Sequence, residues 1–177
     1  MHSGLDGLRI LMARHDDIKA DNVAEITMGT NSNSRYHVDA KVTDITSAQF
    51  SAPFGLALTL ITGTNGFKDY SEENLRNPAI LSLASKVSLY VDEEMEKEAA
   101  KRASRIIVKL KNGKTYEQKV EYCKGLAENP LTRDEFDGKF RGLASVVADK
   151  DTTEEILKTV YALENLKDVS ALVSLMS

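Results

Sequence analysis

Three histidines, His2, His15 and His37, hold most of the acid–base chemistry this sequence offers near neutral pH, and they lie far apart along the chain. An imidazole titrates within the physiological range, so each is a candidate proton donor or acceptor. His2 stands at the entrance of a helical pattern, where helix N–H groups favour an anionic ligand. The plainer reading is a loose terminal residue. His37 follows Arg35 and Tyr36 in a polar stretch. The planar fork of an arginine suits a carboxylate, although an ordinary polar loop explains the same residues. His15 closes a helical pattern before Asp16 and Asp17 and reads as a solvated helix-end histidine favoured by the dipole. Cys123 ends a strand-like run and reads as a small packed residue. The acidic residues between Glu93 and Glu98 read as a solvated charge run, not a catalytic carboxylate pair.

Spacing removes other chemistries. The chain carries no Walker loop, Rossmann glycine pattern, HExxH or GxSxG. Gly63-Thr-Asn-Gly66 is too short for a phosphate cradle and follows a helix. Scattered histidines and a single cysteine give no metal-ligand spacing, so neither a metal nor another cofactor is expected. Lys and Arg total 23 against 27 Asp and Glu, a net charge of −4. That balance argues against a nucleic-acid or anionic-membrane surface and leaves room for a local basic pocket. One cysteine permits no internal disulfide. There is no basic start followed by an apolar run, and no apolar run long enough for a bilayer, so a cytoplasmic protein is expected.

Hydrophobic periodicity supplies the frame for these groups. Leu5, Leu8, Leu11 and Met12 predict a helix over residues 3–15, with Ser3 as its cap. Ala24, Ile26 and Met28 alternate with Glu25 and Thr27 and predict a strand over residues 22–28. Residues 30–46 read as a long polar loop, a length that is often functional. Residues 47–63 read as one buried apolar helix, with Pro53 tolerated near its first turn and Gly63 and Gly66 at its exit. A second helical region, restarted at Pro78, covers residues 71–87, followed by a short strand over 88–91 and a charged connector over 93–102. Two alternating runs flank Asn112-Gly113 and predict a hairpin with a two-residue turn, both turn residues at positive φ. Thr132 and Glu135 predict a capping box for a helix with Phe136, Phe140, Leu143 and Val147 on its core face. Asp151 and Glu154 repeat the pattern for a helix with Ile156, Val160 and Leu163 inward, and a last helix covers residues 169–176. The expected fold is α+β: a small mixed sheet with an antiparallel hairpin packed by helices, then a C-terminal helical segment.

Five segments, in order, carry a family resemblance. They are His2-Ser-Gly-Leu-Asp-Gly-Leu8, Asn22-Val-Ala-Glu-Ile-Thr-Met28, Ala48-Gln-Phe-Ser-Ala-Pro-Phe-Gly-Leu-Ala57, Val108-Lys-Leu-Lys-Asn-Gly-Lys-Thr-Tyr116, and Gly125-Leu-Ala-Glu-Asn-Pro-Leu-Thr132 with Lys139-Phe-Arg141 after it. Together they resemble the MmgE/PrpD family, which includes 2-methylcitrate dehydratase, cis-aconitate decarboxylase and iminodisuccinate epimerase. The resemblance implies that residues 1–130 form an α+β lid-type domain. Residues 131–177 would be helices that in the family pack on a large all-helical domain absent here. It implies metal-independent, cofactor-free lyase chemistry on small polycarboxylates, dehydratase-like in the first instance. The alternatives are an iminodisuccinate-epimerase-like isomerase and a non-catalytic binding or assembly module. His2 becomes the catalytic acid–base residue, with Arg35 and Phe54 on the substrate-binding side. Phe54 stands where some members carry a tyrosine, so a hydroxyl is missing, and the family lysine ahead of the histidine would fall before Met1. The expected partners are a second copy, commonly as a homodimer, or a separate helical domain. The chain alone would hold an incomplete site.

Overall fold

The computed structural model describes residues 1–33 and 39–176. Helix α1 spans His2–Arg14, strand β1 Val23–Thr30, and helices α2 to α5 Ile45–Phe50, Ala52–Thr62, Glu72–Leu75 and Pro78–Ala84. Strand β2 spans Val87–Val91, helix α6 Glu93–Lys97, and strands β3 and β4 Ser104–Leu110 and Thr115–Val120. Helices α7, α8 and α9 span Arg133–Ala144, Lys150–Tyr161 and Ser170–Leu175. The class is α+β with a mixed sheet, as the patterning predicts. The described chain forms two compact units, Met1–Pro130 and Leu131–Ser177.

In the first unit the strands order as β2-β1-β3-β4. β1 pairs parallel with β2 and antiparallel with β3, which pairs antiparallel with β4. Side chains alternate between sheet faces, so one face carries the cross-strand rows Val87–Ile26–Val108–Tyr116 and Leu89–Met28–Ile106–Gln118. Helix α1 lies on this face and buries Leu5, Leu8 and Leu11. Two glycines let it approach. A Cβ on Gly4 would sit 2.7 Å from the Met28 sulfur, and one on Gly7 3.2 Å from Ile106 Cγ1. Helix α3 packs against α1 and α5 and is buried from Ala52 to Leu60, as suits a helix that is apolar on every side.

The opposite face is polar and carries an ion-pair network. Arg105 Nε donates to Asp92 at 2.8 Å and Nη2 to Glu94 at 2.7 Å, and a third bond reaches Glu117. The guanidinium hydrogen bond holds the Asp92 carboxyl below the usual carboxylate range, helped by the α6 N–H groups of Glu94 and Met95.

Several local expectations are corrected. Ser3 lies inside α1 instead of capping it, and its buried hydroxyl donates to the Arg102 carbonyl at 2.7 Å. The apolar segment is two helices broken at Ser51. Pro53 has no N–H to donate to the Gln49 carbonyl and its ring would clash there, so the helix must restart. Ser51 caps the restart by accepting from Phe54 N at 3.1 Å. Gly63 ends α3 in the left-handed region, φ 81°, whereas Gly66 belongs to the following turn. The hairpin loop has three residues: Leu110 N donates to Lys114 O at 2.8 Å, and among the described loop residues only Gly113 has positive φ, 88°. Its side-chain acceptor, Asn112, instead receives a bond from Lys114 N.

In the second unit, the Thr132–Glu135 capping box forms as expected. Asp149, not Asp151, caps α8 by accepting from Thr152 N at 2.8 Å. Asp151 lies in the first turn, where its charge suits the helix dipole. Arg141 pairs with Glu154, and the Arg133 guanidinium sits 3.6 Å from the centroid of the Tyr161 ring, whose hydroxyl donates to Asp137. Phe136 is 58% exposed and Val147 90%, so spacing alone misassigned them to a core. Ile156 is buried, while Val160 and Leu163 are exposed. No described helix is long and apolar enough to cross a membrane.

Candidate active site

His2 opens α1, and Met1 at the N-cap offers no side-chain acceptor to the first turn. The imidazole lines a cleft of about 250 Å³. α1 contributes Leu5 to its wall, beside Met1, and α2 contributes the Gln49 amide. The remaining wall comes from the turn after α3: Asn65, Gly66, Phe67 and Tyr70. The side-chain set is therefore an imidazole, two amides and a phenol against thioether, leucine and phenylalanine. It can hydrogen-bond a small oxygen-rich molecule and exchange a proton with it.

The turn is fixed from within. Gly63 reverses the chain at the end of α3. Asp69 then gathers the loop: its carboxylate accepts from Gly66 N at 2.6 Å and from the Thr64 hydroxyl, while its carbonyl accepts from Asn74 Nδ2 at 2.8 Å. This holds Asn65 toward α1, where its Oδ1 accepts from Arg9 Nη2. Beside Asn65 in the wall, the half-buried Tyr70 ring tilts against Phe54 with centroids 6.3 Å apart. Burial pushes the Tyr70 hydroxyl above its ordinary pKa, against the smaller opposing effects of Asn65 and Arg9, so it stays a proton donor at neutral pH.

The sequence-derived candidates fare differently. His2 is at the cleft. Phe54 is fully buried behind it and is not among the residues lining it. Arg35 and His37 lie outside the described residues. His15 is not merely solvated: it stacks on Tyr116, centroids 4.0 Å apart, and Tyr116 donates to Asp17 at 2.9 Å. It stands about 20 Å along α1 from His2, given 1.5 Å rise per residue. Cys123 is buried, and burial raises its thiol pKa. Among the described residues no three His, Cys, Asp or Glu side chains gather as a metal site. Sequence reasoning missed Gln49, Asn65 and Tyr70. Their signal was the polar turn directly after the apolar helix, which reaches His2 because α1 and α3 pack together.

Comparison with known proteins places the chain in a family. A model of the MmgE/PrpD C-terminal domain matches residues 1–165. The chain is similar to the cis-aconitate decarboxylase-like protein oryM of Aspergillus oryzae, with 33% identity over 132 residues, covering 75% of this chain and 27% of that protein. It is similar to cis-aconitate decarboxylase of Aspergillus terreus, with 24% identity over 188 residues, covering 100% of this chain and 38% of that one. It is also similar to cis-aconitate decarboxylase of Homo sapiens, with 29% identity over 129 residues, covering 73% and 27%. The matched regions thus span between about a quarter and two fifths of these relatives. With the family model matching nearly the whole length, this chain belongs to the MmgE/PrpD family through its C-terminal domain.

Proposed function

We propose that this chain carries part of the active site of a lyase acting on a small polycarboxylate, with His2 as the acid–base residue. The observation that carries the reading is the His2 cleft, built on the family's C-terminal domain and lined by groups that hydrogen-bond oxygen. Decarboxylation leaves a carbanion-like carbon that must gain a proton, whereas dehydration removes a proton from the carbon beside a carboxylate and returns one to the departing hydroxyl, and an imidazole serves either direction. The family resemblance puts dehydration of a 2-methylcitrate-like acid first. The relatives' names make cis-aconitate the first substrate to test.

In this proposal residues 1–130 act as the lid and residues 131–177 pack on a helical domain that is not part of this chain. The exposed Phe136, Val147, Val173 and Met176 support that division. The same exposed residues favour the second reading, a non-catalytic assembly module whose apolar face a partner or a second copy covers.

The test assays the 177-residue chain for CO2 release from cis-aconitate and for the unsaturated product of 2-methylcitrate, while the His2 ring is followed by NMR. The expected result is a His2 signal that moves with added acid and no turnover. Turnover abolished by His2→Ala would keep His2 and overturn the incompleteness of the site. A His2 signal indifferent to both acids overturns the active-site reading and leaves the assembly module.

A further inference from the structure

Phe54 gives the region an aromatic ring without a hydroxyl, and the ring that packs on it has one. Tyr70 tilts at 37° to Phe54, and a Cβ built on Gly55 would lie 3.5 Å from its hydroxyl, which places that oxygen along the flank of α3. The same side chain lines the cleft that holds His2.

Arg9 donates to the Asn65 oxygen, which ties the turn after α3 to α1. Packing on Phe54 holds the half-buried Tyr70 ring, and burial pushes its hydroxyl above its ordinary pKa, so the phenol keeps its proton at neutral pH. A hydroxyl on a ring held in this way is pre-oriented, so little rotamer freedom is lost when an acceptor arrives.

Resting on the reading of the His2 cleft given above, we propose that Tyr70 is a binding residue that donates its hydroxyl hydrogen bond to a carboxylate of the small polycarboxylate. The Arg9–Asn65 bond joins α1, which carries His2, to the turn after α3, so the proton-transfer group and the carboxylate anchor share one frame.

The experiment titrates the isotope-labelled 177-residue chain with cis-aconitate and reads the His2 ring by NMR. The wild-type signal should shift saturably. Tyr70→Phe keeps the ring against Phe54, so its unfolding midpoint should match wild type while the dissociation constant rises about fivefold or more. A Tyr70→Phe dissociation constant within about twofold of wild type, with the His2 shift intact, overturns the role of Tyr70 and leaves the cleft reading standing. A wild-type His2 signal that never responds overturns the cleft reading, and this proposal with it.

Discussion

Replacing Ser51 by alanine removes one hydroxyl from a residue that is 2% exposed, at the break between α2 and α3. That hydroxyl accepts from Phe54 N at 3.1 Å and donates to the Asp39 carbonyl. Losing an N-cap costs about 1 kcal/mol. Losing the bond to the Asp39 carbonyl adds about 1 kcal/mol. The expected loss is therefore about 2 kcal/mol at neutral pH. With a urea slope of about 2 kcal/mol per molar, the unfolding midpoint should fall by about 1 M at unchanged slope. Far-UV circular dichroism reads the transition. Ser51→Thr retains the hydroxyl and should lose less than half as much. No ionisable group takes part, so the loss should be constant across the neutral range. A Ser51→Ala midpoint within about 0.2 M of wild type refutes the capping argument, as does a threonine variant no better than alanine.

Asp92→Asn keeps an acceptor for α6 but loses the charge facing Arg105, and should cost about 1–2 kcal/mol near neutral pH. Because the Asp92 pKa is depressed, that contribution is complete above the ordinary carboxylate range and lost as pH falls through the lowered value. Urea unfolding of both proteins should therefore converge in strong acid, and a gap that persists there counts against the mechanism. Gly113→Ala forces a side chain into φ 88° and should lower stability by about 1 kcal/mol, read as a drop in thermal midpoint. Cys123 should react with iodoacetamide far more slowly in the folded chain than in urea, since burial keeps it as the thiol. Equal rates measured by mass spectrometry would contradict its placement.

What could be read in the sequence followed from local periodicity. Ile106, Val108 and Leu110 announce a half-buried strand whatever surrounds them, and Thr132 with Glu135 announces a helix start, because both signals act within a few residues. The break at Ser51 was hidden because an apolar run with an early proline fits a single helix or two equally well. The three-residue hairpin loop was hidden because Asn-Gly suits both loop lengths, and strand register decides between them. At the cleft, His2 was visible by type and position. Asn65 and Tyr70 were not, since nothing local reveals that α1 and α3 lie side by side. The exposed face of α7 carries apolar residues at core spacing, and periodicity does not say whether a face is covered.

The strand order has a consequence for how the protein is made. β1 is complete once Thr30 has been added, yet both strands that flank it are encoded later, β2 ending at Val91 and β3 at Leu110. At about 5–20 residues per second, a ribosome needs on the order of 4–16 s to travel from Thr30 to Leu110. Throughout that interval Leu5, Leu8 and Leu11 have no β3 or β4 to cover them, and the apolar α3 emerges into the same unfinished surroundings. The nascent chain therefore passes through a window in which its most apolar segments are exposed together. Slower synthesis lengthens that window, and growth at lower temperature, which weakens apolar association, offsets it.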